Sequence, residues 1–600
     1  MKTIRIALAQ INSTVGDIWG NAQKISDAIA HAKDNQADMV VFPELAVTGY
    51  PPEDLLLNPQ FIRDNVMATE KIAQGCVGIT AIVGFVDHQQ DIYNAAACMN
   101  EGQIRFVCHK HYLPNYGVFD ENRYFRAGQT ASLLNLNGVL VGVNICEDIW
   151  YPQGPAHVQA FRGGAELIVN LSASPYYSGK SSVREEMLAT RAKDNITLIA
   201  YVNLVGGQDE LIFDGGSMVV DEKGRMFERG KQFSEDMIIC DLPLDPVFRA
   251  RLHDPRWRKE KEYESTIPLE RWTFVANKPT QTPLPERRVV SRSVTPFSGL
   301  EEVYRALVFG LKEYGSKNRF QKALLGLSGG IDSALTAVIA CEAFGKENVV
   351  GVFMPSRYTS PESHEDVRQL ADNIGIRLIT LSIEPLFETY LSTLSVEFGS
   401  GPHDTTEENL QSRIRGNILM GLSNKFGSLV LTTGNKSEMS VGYTTLYGDM
   451  VGGFAVIKDV WKTVVYDLAR HYNQNHDNKN NGYLIPDHIF TRPPTAELRP
   501  NQSDQDTLPP YDVLDAILKE YVEGGKGFEE IVALGFDAET VEKIVVQVNA
   551  SEFKRRQAPI GTKITSRAFG KDRRMPITHH YQEGQPQNKI HVTTFQEKRQ

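Results

Sequence analysis

The sequence predicts an α/β protein with at least two domains. Short apolar runs of strand length alternate with helical periodicity in both halves of the chain. A proline-rich break separates the halves, and 600 residues exceed one ordinary domain. In the second half the alternation has the βαβ rhythm of a doubly wound parallel sheet.

The elements follow in order. Lys2 to Gln10 alternates polar and apolar residues, the period of a half-buried strand, and Asn21 to Asp34 has helical spacing. Asp38–Phe42 is a short apolar run of buried-strand type. The runs Ile79–Val86, Val139–Ile145, Leu167–Leu171 and Ile196–Val205 repeat it. Asn277 to Phe297 holds Pro279, Pro283, Pro285 and Pro296, which suit neither a helix nor a central strand, so it reads as a linker. Helical periodicity restarts at Leu300. Then come strand Lys322–Leu327, helix Ser333–Phe344, strand Asn348–Met354, helix Ser363–Ile374, strand Arg377–Ser382, helix Glu407–Phe426 and strand Ser428–Thr433. The expected domains are 1–270 and 298–580, with a linker at 271–297. A polar, Gln-rich tail at 581–600 reads as an appendage.

Composition narrows the function. The hydrophobic fraction of 41% and charged fraction of 23% are those of a globular chain. A net charge of −11 suits small-molecule chemistry better than a nucleic-acid partner. The six cysteines form no CxxC pair, which argues against a zinc ribbon and fits a reducing cytosol. The N-terminus has strand periodicity and no apolar h-region, and no apolar run approaches a membrane span. A cytoplasmic location without a membrane partner is therefore expected.

Three segments of the first half place a reactive side chain after an apolar run: Glu44 in VVFPELAVTGY, Lys110 in HKHYLPNYGVFDE and Cys146 in VGVNICEDIW. Strand ends are where α/β sheets gather catalytic groups. A thiol needs a base or a cation beside it to act as a nucleophile. A lysine would favour the thiolate and balance an oxyanion, a glutamate would carry the proton, and the amide after the cysteine would serve as an oxyanion donor. Taken singly, a strand-end cysteine is more often a small packing residue. His109 and His111 flank Lys110 without further metal-ligand spacing, which favours packing or solvated roles.

These segments, in this order, resemble the nitrilase (carbon–nitrogen hydrolase) superfamily over roughly residues 1–260. The resemblance implies an α-β-β-α sandwich, with Glu44 as general base, Lys110 as transition-state stabiliser and Cys146 as nucleophile. LPNYGVFDE is similar to the glutaminase branch fused to NAD synthetases. That implies a glutamine site with Tyr116, Glu121, Ser174 and Lys180, Glu121 also supporting the triad.

In the second half, ALLGLSGGIDSALTAVIACEAFG reads as strand, tight turn and helix. Ser328, Gly329 and Gly330, flanked by Gly326, Leu327 and Ile331, would let the backbone approach a phosphate, and the helix start near Asp332 and Ser333 would aim its amides at the anion; a glycine-rich turn taken alone is as often only a tight turn. No lysine follows in the Walker pattern, and Asp332 suits Mg²⁺ rather than an anion. SGGIDS resembles the PP-loop of the N-type ATP pyrophosphatases, which have an adenine nucleotide alpha hydrolase-like fold. TEENLQSRIRGNILMGLSN, TTGNKSEMSVGYTTLYGDMVGGFAVIKDVWKTVVYDLAR, RPPTAELRPNQSDQDTLPPYDVLD and SEFKRRQAPIGTKIT extend the likeness to the glutamine-dependent NAD(+) synthetases. The resemblance implies Thr433 at ATP, Asp332 and Glu438 at Mg²⁺, and Asn409, Glu438 and Lys554 at deamido-NAD⁺. It implies Lys462 near the phosphates, although FAVIKDV departs from the family's wording there. ATP is the implied co-substrate, with glutamine or ammonia as nitrogen donor.

Two other functions compete. An RNA substrate for the adenylating half would call for a basic module, which the chain lacks. A non-catalytic scaffold would have lost some of these reactive residues. A homodimer or larger homo-oligomer is expected by the same resemblance. The stripe Ile414, Ile418, Leu422 and Phe426 fits either that interface or the helix's own sheet.

Overall fold

A computed structural model describes residues 2–260, 265–274, 294–399, 404–475, 484–581 and 583. Most of the expected linker, and nearly all of the expected tail, lie outside these residues. By internal packing the chain forms two units, Met1–Arg319 with Thr562–Ile564, and Phe320–Gly561 with the residues from Thr565 onward.

Among the described residues the first unit holds two large sheets and a two-stranded one. One large sheet has the order Asp236–Pro243, Thr3–Gln10, Met39–Val41, Thr80–His88, Ile92–Asn100, Gln103–His109. The other large sheet runs Met226–Arg229, Met218–Val220, Leu198–Asn203, Leu167–Ser172, Val139–Ile145, Ala131–Leu136, Leu269–Phe274. Strand periodicity sorts the side chains. Ile4, Ile6 and Leu8 share a core with Val141, Val143 and Ile145 of the other sheet. Ala7 and Ala9 face the opposite way, into a core with Ile25 and Ile29 of helix Ile18–Asp34 and with Phe61 and Ile72 of helix Pro59–Gly75. On the second sheet, Ile168 and Ile199 pack with Ala156 of helix Pro155–Phe161 and Leu188 of helix Lys180–Asn195. The layers are therefore helix, sheet, sheet, helix.

Two expectations are corrected. The run Ile196–Val205 is not one strand. It ends at Asn203, and Val205–Gln208 starts a separate hairpin with Leu211–Asp214. The helix Gly299–Lys317, expected at the start of the second domain, packs in the first unit. There Gly179 N donates to Glu302 (3.3 Å) and Gly207 N to Glu313 (3.2 Å).

The second unit is built on a five-stranded parallel sheet, ordered Arg377–Thr380, Val349–Phe353, Ala323–Leu327, Leu429–Thr432, Phe454–Ala455. Ala323–Leu327 comes first in the chain but sits in the middle. The strand order reverses between it and Leu429–Thr432, which opens a crevice at their C-terminal ends. Helix Thr405–Phe426 turns Ile414, Ile418 and Leu422 onto this unit's own core, beside Leu324, Val352 and Val430, while Phe426 is exposed. The apolar stripe is thus largely satisfied within the unit.

Gly84 decides where the first catalytic segment runs. A Cβ there would lie 2.3 Å from Pro43 O and 2.5 Å from Leu45 N, so the backbone carrying Glu44 passes directly over it. Backbone atoms cannot rotate away. Gly84→Ala should therefore cost about 1–3 kcal/mol of stability and displace Glu44. Chemical denaturation against the native chain tests this; an unchanged midpoint would show that the segment yields freely.

Candidate active sites

In the first unit three chain segments deliver a lysine and two glutamates to one buried point. Glu44 follows strand Met39–Val41, Lys110 follows Gln103–His109, and Glu121 opens the short turn Glu121–Arg123. Lys110 Nζ lies 2.6 Å from Glu44 Oε1 and 2.8 and 2.9 Å from the two Glu121 oxygens. All three side chains are buried. Asn94 Nδ2 donates to Glu44 Oε1 (2.7 Å), Ala173 N donates to Glu44 Oε2 (3.0 Å), and Tyr50 OH donates to Glu121 Oε1 (2.8 Å). Burial opposes the charge on Lys110, but Glu121 and Glu44 outweigh it, so its pKa stands above the usual lysine range. Burial also raises the Glu121 carboxyl to about 7, against the pull of Lys110.

Cys146 ends strand Val139–Ile145 and begins the turn Cys146–Ile149 with φ of 44°. A non-glycine residue in this left-handed region is held there by its surroundings. Burial and then Glu44 push the thiol well above its usual pKa, while Lys110 pulls the other way. The resting side chain is a thiol. Lys110 favours the thiolate as expected, and burial followed by Glu44 outweighs it.

Asp148 joins the cysteine turn to the lysine loop. Its buried carboxylate accepts from His111 N (3.0 Å), Tyr112 N (2.9 Å) and Ile145 N (3.2 Å). Of the other expected residues, Tyr116 OH donates to both Glu147 oxygens at 3.0 Å, and Ser174 is buried with its amide on Asn203 Oδ1 (2.9 Å). Lys180 Nζ lies 4.6 Å from the Trp150 ring centroid. Burial, then repulsion from Arg184, lowers its pKa to about 8, with Cys146 and Glu147 acting oppositely. His109 stacks on Tyr93 at 4.1 Å and lies 2.7 Å from Asp87, and burial lowers His111 to about 4, which keeps it neutral.

In the second unit the turn after Ala323–Leu327 sits at the sheet's switch point. Gly329 has φ of 83°, and a Cβ there would lie 3.2 Å from Ser363 Cα. Ser328 Oγ lies 3.2 Å from Ser333 Oγ and accepts from Gly330 N (3.2 Å). A cavity of about 270 Å³ is lined by Gly326, Leu327, Ser328, Asp332, Ser333, Thr433 and Glu438, among others. A second, of about 150 Å³, shares Ser328, Asp332 and Glu438 and adds Gly329, Gly330, Ile331 and Lys462.

Lys462 pairs closely with Asp332 and lies 3.5 Å from Glu438 Oε1. Asn435 Nδ2 donates to the other Asp332 oxygen at 2.9 Å. Burial disfavours the lysine's charge, but Asp332 and Glu438 hold its pKa above the usual value. Burial, opposed by Lys462 and aided by Asp332, raises Glu438 to about 8. Two close carboxylates beside one ammonium fit a magnesium ion that takes its remaining ligands from phosphates and water. Asn409 and Lys554 meet one turn instead. Asn409 Oδ1 accepts from Thr445 Oγ1 (2.8 Å), and Lys554 Nζ donates to Gly442 O (2.7 Å) and Thr444 O (2.8 Å). Neither is among the residues lining the two cavities.

Several residues here carry no signal in the sequence. Tyr50, Asn94 and Asp148 are ordinary polar residues until the fold brings them to Glu121, Glu44 and the Cys146 turn. Arg492 is another: it contacts Glu497 and donates to Ser363 Oγ (2.5 Å) and Ser360 Oγ (3.0 Å) beside the PP-loop. Its segment, RPPTAELRP, belongs to the family likeness, but nothing in it singles out Arg492.

The chain matches two family models, carbon-nitrogen hydrolase over residues 5–251 and NAD synthase over residues 303–558. It is 51% identical over 590 residues to the glutamine-dependent NAD(+) synthetase of Thermotoga maritima, covering 97% of this chain and 100% of that one. For the Aquifex aeolicus protein of the same name the identity is 46% over 586 residues, with 96% and 100% covered. The solved structure of glutamine-dependent NAD+ synthetase from Acinetobacter baumannii in complex with ADP matches with a TM-score of 0.72 at 41% identity, covering 96% of this chain and 98% of that one. Among the described residues, no helix is long and apolar enough to cross a membrane.

Proposed function

The chain belongs to the glutamine-dependent NAD(+) synthetase family, and from that premise we propose how its two sites divide the work. The enzyme amidates deamido-NAD⁺ to NAD⁺ with ATP as co-substrate and glutamine as nitrogen donor. The observation that carries the division is that each unit holds its own buried lysine between two carboxylates, one beside a cysteine and one beside a phosphate loop.

In the first unit Cys146 Sγ attacks the glutamine carboxamide carbon. Because the resting sulfur is protonated, its proton leaves as the C–S bond forms, and Glu44 is the acceptor. Lys110, kept charged by its glutamates, balances the tetrahedral oxyanion. Glu44 returns the proton to the departing ammonia. Water then attacks the thioester, with Glu44 again as base, and glutamate is released. Glu121 holds the lysine. Tyr116, Ser174 and Lys180 receive the glutamine backbone, with Lys180 facing its carboxylate.

In the second unit the nicotinate carboxylate attacks the ATP α-phosphorus and pyrophosphate leaves. The acyl-adenylate accepts ammonia at its carbonyl carbon, and AMP departs. Ser328, Ser333 and the turn amides cradle the phosphates, and Lys462 supplies positive charge at their flank. Asp332 and Glu438 would hold Mg²⁺, which neutralises the leaving pyrophosphate when bound. Thr433 borders the ATP cavity. The 442–445 turn, braced by Asn409 and Lys554, supports the place of deamido-NAD⁺. A cytoplasmic homo-oligomer belongs to the same reading, and the exposed Val396, Phe398 and Phe426 supply apolar area for an interface.

The site of ATP cleavage tests the adenylate. Both carboxylate oxygens of deamido-NAD⁺ are labelled with oxygen-18, and one label per turnover is expected in AMP, with pyrophosphate unlabelled. ADP and orthophosphate as products would remove the acyl-adenylate. A second test separates the sites. Cys146→Ala should abolish synthesis from glutamine and retain synthesis from ammonium. Loss of both in a folded variant would contradict separate chemistry. A third concerns pH. Lys180 loses its charge as pH rises through about 8, and the neutral amine no longer attracts a carboxylate. The kcat/KM for glutamine, which reports the free enzyme, should therefore fall through that pH. Lys180→Met should lack this step and lie about tenfold or more below the native value at neutral pH. The same step persisting in Lys180→Met would assign it to another group.

A further inference from the structure

Lys462 is the first residue of helix Lys462–Asn475, so the placement of its ammonium depends on how that helix start is held. The first two amides are not left to solvent. Lys462 N donates to Ser437 Oγ (2.9 Å), and Thr463 N donates to Asp515 Oδ2 (2.9 Å). Thr463 Oγ1 also donates to Asp515 Oδ2 (2.9 Å), and Ser437 Oγ donates to Asp515 Oδ1. Asp515 is 1% exposed, and both its oxygens are engaged.

The second connection runs to the other charged group. Ser437 precedes Glu438 in the one-and-a-half-turn helix Lys436–Val441. A single carboxylate thus binds both the segment carrying Lys462 and the segment carrying Glu438. Asp515 lies on helix Tyr511–Leu518, four residues after Tyr511 and so on the same face. The Tyr511 ring centroid is 5.3 Å from Lys462 Nζ, and its hydroxyl donates to Asp504 Oδ2 (2.9 Å). One helix face therefore fixes the lysine's backbone through Asp515 and borders its ammonium through Tyr511. A negative group at a helix N-terminus is also electrostatically favoured, which makes the tie stiff.

We propose that Asp515 is a positioning residue of the adenylation site: through Ser437 and Thr463 it sets the distance between the Lys462 ammonium and the Asp332–Glu438 carboxylate pair. It touches no reacting atom and acts only through Lys462 and Glu438. The proposal rests on the reading of this site as the place where ATP is cleaved.

The test is a double-mutant cycle on ammonium-dependent NAD⁺ formation by the full chain, with thermal midpoints recorded alongside. Asp515→Asn keeps the shape and removes the charge: Ser437 Oγ can still accept from the new amide, but both charge-assisted ties become neutral ones and weaken. This variant should lower kcat about tenfold, and Lys462→Met about a hundredfold. Adding Asp515→Asn to Lys462→Met should change the rate less than about twofold, because the group it positions is gone. Equal fold-losses in the two backgrounds would mean a general structural role and would overturn the proposal, as would a native rate in Asp515→Asn. If Asp515→Asn does not fold, Ser437→Ala replaces it in the same cycle with the same criterion. A native rate in Lys462→Met would instead overturn the reading of the site itself.

Discussion

Both sites depend on one constraint: a buried lysine must find two carboxylates. Removing an ammonium from water costs several kcal/mol after relaxation, and that cost is offset only by close, well-oriented partners. Lys110 has Glu44 and Glu121; Lys462 has Asp332 and Glu438. These partners come from distant parts of the chain, so the ion clusters form only when the elements that carry them are correctly registered. Replacing either lysine by an apolar residue would leave two carboxylates without the ammonium that both of them contact, a costlier state than losing a surface ion pair.

The same clusters set the resting protonation states. At Cys146, burial and then Glu44 outweigh Lys110, and the proton is retained. A nucleophile stored as a thiol is inert toward chance electrophiles, and it becomes a sulfur anion only as its proton moves to Glu44. Around Lys462, burial and then Asp332 raise the Glu438 carboxyl to about 8 against the pull of the lysine. A cation arriving with a polyphosphate would favour the ionised carboxylate there.

Much of this was legible in the sequence, and the limits have physical causes. The strands bearing Glu44 and Cys146 could be read because both are short apolar runs of buried-strand type, and the reactive residue stands where the run stops. The turn Ser328–Ser333 could be read because two serines and an acid accompany the glycines at a helix start, where a plain tight turn needs only the glycines. The proximity of Lys462 to Asp332 could not be derived from spacing, since 130 residues separate them; only resemblance suggested it. Asp148 and Asp515 were invisible because their partners are backbone amides and hydroxyls, which leave no pattern in composition. The Ile196–Val205 run was misjudged because an apolar stretch does not reveal where a strand ends and a hairpin begins.

Sheet order explains why the phosphate turn has no lysine of its own. Ala323–Leu327 neighbours Leu429–Thr432, and the strand after that, Phe454–Ala455, leads by seven residues to Lys462. The elements beyond the switch point can therefore bring a cation to the turn on helix Lys462–Asn475, which packs against helix Ile331–Phe344. A lysine within the turn would be fixed by the same backbone that cradles the phosphates. One from a separate helix is instead placed by whatever holds that helix start. The position of the charge and the grip on the phosphates thus come from different segments, and the Lys462–Asp332 pair couples them.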